Sequence, residues 1–389
     1  MRNVHAVVVS LAFMAVARPA LAQSGAFVIR LGRDTSAVER YTRTATRIEG
    51  DAIGRAPRTV QRHYTIDFGV DGRPTRIEVV ATRPGAPATA VPIQRTVATF
   101  TRDSAMYETR RDTAVVTRRI AMPAGVIPIM GGAAGSWVGF DLLVARLKQS
   151  RADSISAPVY SAGGNGTQNW SARWLGRDSV WIYDNNDVFH AAVDRDGRIT
   201  GAVPLSGTQQ FTVTRVPALD IAALGTAFAA RDDQGQGLGA LSTRDTVRAS
   251  AGGATLWIDY GRPSKRGRQV FGSTIVPYGE VWRVGANAAT QFRTDKALEM
   301  GGVVVPAGFY TLWAVPSPTG WKLLINSQTG QWGTAHDATR DLFQVDMTTS
   351  ALPQMVERFT IGIVPGGQGG TLNLDWDMVR ASIPFVVRP

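Results

Sequence analysis

Between Thr59 and Ala121 the chain alternates with a period of two, placing Val60, Arg62, Tyr64, Ile66 and Phe68 on one face, then Ile77 and Val79 after a Gly69–Gly72 turn. Successive side chains of a strand point to opposite faces, so this pattern suits a sheet with one face on a core and does not suit a helix. A second set follows at 168–175, 179–183, 188–193, 199–203 and 210–216, with Asp194–Gly197 as another turn. Short strands joined by tight turns predict an antiparallel meander. After residue 244 come eight more short runs, at 254–260, 291–294, 309–315, 321–325, 343–347, 359–364, 371–376 and 383–387, punctuated by Gly and Pro. They predict a β-sandwich or jelly roll. A chain of 389 residues exceeds what one core usually serves, so two domains are expected.

One segment breaks the meander. Ile120–Phe140 carries no charge and runs into Asp141–Lys148, whose apolar residues have helical spacing. Pro123, Pro128 and several glycines argue against a continuous membrane span. Two readings remain: a buried loop and helix plugging a curved sheet, or a lid over an apolar cavity. The expected fold is therefore all-β in two β-rich domains. The first, 23–216, is an antiparallel meander or open barrel with a helical plug near 138–149; the second, 245–389, is a β-sandwich or jelly roll. Residues 217–244 turn to Ala, Gly, Asp and Gln and read as a linker, helix-like over 220–230.

Residues 1–22 have the charge, apolar core and Ala20–Leu21–Ala22 ending of a cleavable secretory signal, with a mature chain from Gln23 and no transmembrane helix. A periplasmic or secreted location follows. Export permits disulfides, but the chain has no Cys, so stability must come from core burial, and thiolate metal sites and Cys nucleophiles are excluded. The net charge of +11 is carried mainly by Arg and favours anionic lipid or polysaccharide surfaces. Export and the lack of a basic stripe with interleaved aromatics argue against nucleic acid.

No complete catalytic pattern is present. G-x-S-x-G, H-E-x-x-H and a phosphate loop are all missing, so neither a cofactor nor a metal is expected. His63 and His190 fall in strands; His336 follows a Gln-Trp-Gly loop, with Asp337 and Asp341 nearby. Glu280, Asp375 and Asp377 could supply the two acids that glycoside hydrolysis needs, if folding brought them together.

The densest motif is Tyr260–Asn287, YGRPSKRGRQVFGSTIVPYGEVWRVGAN. With Pro306–Pro316 (PAGFYTLWAVP), Asn326, Gln331–Trp332–Gly333 and the late LDWD, it resembles the bacterial family catalogued as domain of unknown function 2911. The resemblance covers about residues 245–389 and implies a secreted bacterial β domain without an assigned activity; the first domain resembles no named family. Within the motif Arg262, Lys265, Arg266 and Arg268 share one loop, and Arg283 and Asn287 follow Trp282. Their guanidinium forks could converge on an anion, or they could pair internally and shape turns. Trp332, in a polar loop, is the tryptophan best placed for an exposed platform.

The candidate ligand-binding residues are Arg262, Arg268, Arg283, Asn287, Trp332 and His336. The leading expectation is an exported, non-catalytic binding protein for a glycan, anion or lipid. The alternatives are an extrinsic subunit of a membrane-associated protein complex on the periplasmic face, and a carboxylate-dependent hydrolase.

Overall fold

A computed structural model describes residues 23–87, 89–131 and 136–389; the expected signal segment lies outside them. Eight strands come first: β1 (Gln23–Leu31), β2 (Asp34–Arg43), β3 (Arg47–Gly54), β4 (Val60–Phe68), β5 (Pro74–Thr82), β6 (Gln94–Phe100), β7 (Ser104–Arg111) and β8 (Ala114–Ala121). Then come β9 (Ile127–Ile129), helix α1 (Trp137–Ser150), β10 (Ser154–Ser161), β11 (Thr167–Trp174), β12 (Ser179–Tyr183), β13 (Val188–Val193), β14 (Ile199–Pro204) and β15 (Phe211–Arg215). These strands form one 15-stranded sheet ordered β8 to β1, then β15 to β9. Only the β9–β10 pair is parallel.

The sheet curls. Phe100 of β6 and Tyr160 of β10, near opposite ends of that order, meet edge to face at 5.8 Å, and Tyr107 of β7 donates to Asn165 beyond β10 at 3.2 Å. No ladder joins β8 to β9, so the barrel stays open. Its interior holds α1, in which Trp137, Val138, Phe140, Leu142, Leu143, Val144 and Leu147 are all buried. A helix apolar on nearly every side is stable only inside a core. Phe140 stacks on Trp170 at 4.2 Å and Trp137 meets Phe189 at 5.5 Å. Interior side chains of the barrel and helix form a single core. The described part of the uncharged segment is thus a plug; Gly132–Gly135 lie outside the described residues.

Two acids anchor the plug. Glu39 of β2 is 1% exposed and accepts from Tyr64 (2.8 Å), Ser136 (3.3 Å) and the Val138 N–H (3.2 Å) at the first turn of α1. Tyr64 reaches it across Gly50, where a Cβ would come within 2.5 Å of the phenol oxygen. From the helix, Asp141 accepts from Tyr41, Arg215 and the Ile199 N–H.

The segment expected as a linker is docked. Helix α2 (Ile221–Asp233), capped by Asp220, lays Ile221 and Phe228 on the outer face of β2 and β3 beside Val38 and Ile53. No helix among the described residues is long and apolar enough to cross a membrane.

The second sheet comprises β16 (Ser242–Ala251), β17 (Ala254–Pro263), β18 (Thr290–Thr294), β19 (Ala297–Met300), β20 (Val303–Val305), β21 (Gly308–Pro316), β22 (Trp321–Asn326), β23 (Asp341–Gly366) and β24 (Gly369–Arg388). Their order is β16-β17-β18-β21-β22-β23-β24-β19-β20. The β23–β24 hairpin shifts register between Ala351 and Thr360, and its distal half crosses β17. There Tyr260 accepts from the Ile361 N–H at 3.1 Å and packs on Phe359. This closes two layers over a core that holds Phe271, Trp282, Trp321, Phe359 and Trp376. Both domains are all-β, as their alternation predicts.

Candidate functional site

The cationic loop of the motif is consumed internally. Arg262 donates to Phe359 O (3.1 Å), Asp245 (2.9 Å) and Thr360 (2.8 Å), stitching β17 to β23. Lys265 pairs with Asp377. Arg266 pairs with Asp34 of the first domain at 2.8 Å, and Arg268 donates to four backbone carbonyls, including Thr208 (3.2 Å) and Gln209 (3.0 Å) of that domain. These carbonyls carry no full negative charge, and burial pushes the Arg268 guanidinium down to about 10. The forks do not converge on an empty anion site; most of them hold loops and domains together.

Arg283 differs. Among the described residues its only hydrogen-bond acceptors are Gly333 O and Thr208 Oγ1, each at the 3.5 Å limit, and its buried Nε has none. Among the described residues no carboxylate pairs with it, and burial pushes its pKa down. Its stem lies against Gly333, where a Cβ would overlap Arg283 Cδ and Asn287 O. Asn287, at φ +64°, receives the Gly333 N–H at 2.9 Å.

A buried polar layer on β18, β21 and β22 fixes the loop that carries Trp332. Gln291 donates to Thr311 (3.0 Å) and receives the Gly330 N–H (2.9 Å); Thr311 donates to Gln328 O (2.7 Å). Asn326 donates to Asp337 O (2.9 Å) and Asp341 (2.7 Å). Every internal link tightens the loop, yet Trp332 at its tip is 57% exposed. Large exposed aromatics on ordered loops mark binding surfaces.

Arg268, Arg283, Asn287 and Trp332 line one cleft of about 670 Å³ between the two domains. The first domain supplies Asn185, Asn186 and Asp187 from the β12–β13 turn and Thr208 and Gln209 from the β14–β15 turn; Trp282 and Trp376 also line the cleft. Burial, reinforced by Asp184, raises the Asp187 carboxyl to about 6. The sequence reading missed this first-domain wall. Its one local signal was the polar Asp184–Asp187 turn, which resembles any hairpin turn until the fold sets it opposite Arg283.

Two candidates lie elsewhere. Arg262 is occupied as described. His336 is 3.0 Å from Asp341 and packs edge-on to Trp313 at 4.8 Å, in the cluster that supports the loop rather than in the cleft. Of the candidate acids, Asp375 pairs with Arg380 (2.5 Å) and Asp377 with Lys265, and neither Glu280, Asp375 nor Asp377 lines the cleft. Among the described residues no group of three His, Asp or Glu side chains is placed to hold a metal ion.

No curated protein matches the chain. The crystal structure of the isotype 1 transferrin binding protein B from serogroup B Neisseria meningitidis is similar at 9% identity over 91% of this chain, with a TM-score of 0.13. The chain spans 66% of that structure's length, just under two thirds. No family is assigned to the first domain, whereas the family described as protein of unknown function (DUF2911) matches residues 242–385, which hold the motif, the polar layer and one wall of the cleft.

Proposed function

We propose that the protein is an exported, non-catalytic binding protein whose ligand occupies the cleft between the two domains. The observation that carries this reading is Arg283. A partly buried guanidinium whose terminal nitrogens make only two hydrogen bonds at the 3.5 Å limit, with no carboxylate partner, is costly in a protein left to itself, and an anionic ligand group on those nitrogens would offset that cost. Trp332 and Asn287 stand beside it on loops fixed by internal hydrogen bonds, the preorganisation a binding site needs.

The composition of the cleft supports binding without chemistry. Its lining has one carboxylate, Asp187, and no histidine, so neither a carboxylate pair nor a nucleophile–base pair is at hand. Thermal-shift screening of the mature chain from Gln23 against sugars, amino acids, inorganic anions and lipids tests this. We expect at least one class to raise Tm in the wild type and not in an Arg283→Ala, Trp332→Ala double variant. The reading is lost if no ligand shifts the wild type more than the double variant.

A further inference from the structure

We propose that the cleft takes an acidic saccharide, with a carboxylate or sulfate on Arg283 and the apolar face of a sugar ring on Trp332. This rests on the reading of the cleft as a binding site and names the class of ligand it takes.

The charge count within the cleft selects a singly charged group. Two guanidinium groups line it, but the Arg268 fork is filled by the carbonyls of Ser264, Lys265, Thr208 and Gln209. The Arg283 terminal nitrogens, by contrast, have only two acceptors at the 3.5 Å limit, which leaves them able to turn to a ligand. A polyphosphate would call for several cations, and Asp187 on the facing wall would oppose so dense a charge. A lone carboxylate or sulfate matches a single planar fork, which offers paired donors in one plane.

The remaining surface selects a saccharide over an acyl chain or a small inorganic anion. Around the fork stand the amides of Asn185, Asn186, Asn287 and Gln209 and the hydroxyls of Thr208 and Thr334. Such groups both donate and accept, which suits ligand hydroxyls, whereas an acyl chain would leave them unsatisfied. Trp332 adds a broad apolar plate beside these polar groups. A ligand that is flat and apolar on its faces but hydroxylated at its rim satisfies both. The volume of about 670 Å³ falls in the range of organic ligand sites and is far larger than a bare anion requires.

Isothermal titration of the mature chain can compare a short oligogalacturonate with the neutral galacto-oligosaccharide of equal length, and add a sulfated disaccharide. We expect an acidic probe to bind at least tenfold more tightly than the neutral one, and more weakly as salt rises. Arg283→Gln should bring its affinity down to the neutral level, Arg283→Lys should fall between because it keeps charge without the fork, and Trp332→Ala should weaken both probes. An unliganded melt within a few degrees of wild type identifies the variants that have kept their fold. Equal affinity for acidic and neutral probes overturns the acidic assignment while leaving a binding cleft, and an acid preference that survives Arg283→Gln overturns the placement of the acid group on Arg283. Trp332-dependent binding of an amino acid or inorganic anion, with no saccharide bound, overturns the saccharide and keeps the cleft. If nothing binds, both readings fall together.

Discussion

At the scale of single residues, Gly333 shows how the Gln-Trp-Gly motif serves the cleft without touching a ligand. Its missing Cβ lets the Arg283 stem and the Asn287 carbonyl press against the loop backbone. An added methyl would strike both, and the Asn287 contact is with backbone, which no rotamer change relieves. Gly333→Ala should therefore cost about 1–3 kcal/mol in denaturant unfolding and displace Arg283, abolishing any ligand-induced rise in Tm. A variant within about 0.5 kcal/mol of wild type that keeps the ligand response would refute this account. The same contrast explains why the sequence could not rank its arginines. Arg262, Arg268 and Arg283 sit in equally ordinary company along the chain, and what separates them is whether the Asp245 carboxylate, well-placed carbonyls such as that of Thr208, or only two acceptors at the 3.5 Å limit lie opposite after folding. Partners that distant leave no trace in spacing, whereas Trp332 could be singled out because its polar neighbours gave it nowhere apolar to hide.

Among the elements, legibility follows how many faces of a strand are covered. The run from Thr59 to Ala121 could be read because much of it has one dry face and one wet one. Strand β2 does not alternate: α2 covers its outer face, and its inner face carries Glu39, a charge where the pattern expects an apolar residue. Strand β23 reads as two strands because Pro353, which donates no ladder hydrogen bond, falls at its register shift. The plug was legible as an uncharged segment, but its anchoring by Glu39 was not, and that anchor has a measurable consequence. Burial raises the Glu39 carboxyl to about 7, outweighing the hydrogen bonds from Tyr64 and Val138 that favour its ionised form. A folded-state pKa above the unfolded 4.5 gives stability that is complete below pH 4.5 and is lost as pH rises through about 7, on the order of 3 kcal/mol in all. His63, raised by its hydrogen bond to Asp51, acts in the same direction, while the lowered carboxyls Asp51 and Glu78 act the other way only in strong acid. Stability should fall from pH 5 to pH 8, and Glu39→Gln, which can still accept from Val138, should flatten much of that slope in urea titrations. An unchanged slope in the variant would place the titrating group elsewhere.

The two domains meet through a contact that the cationic loop supplies and that also frames the cleft. Arg266 is 9% exposed; it pairs with Asp34, donates to Leu238 O at 3.1 Å, and its own carbonyl receives the Arg33 N–H at 3.0 Å. Its N–H is held in turn by Glu357 of β23 at 2.7 Å, so the same residue ties the first domain to the folded-over hairpin of the second. Removing this side chain leaves the Asp34 carboxylate and the Leu238 carbonyl without their donor, at roughly 1–3 kcal/mol for the unsatisfied groups. That cost falls on the junction and leaves each domain's own core intact. Arg266→Ala should therefore uncouple the domains, so that a single calorimetric transition in the wild type becomes two, with the intrinsic stability of each domain little changed. Arg268, which still grips Thr208 and Gln209, would limit the separation, and the Arg266→Ala, Arg268→Ala pair should widen it further. A ligand spanning the cleft touches both walls, so saturating it should draw the two transitions of the single variant back together. If Arg266→Ala instead lowers one undivided transition, the domains share a cooperative unit that does not depend on this contact, and the cleft would have to be regarded as a fixed seam rather than a junction that ligand can tighten.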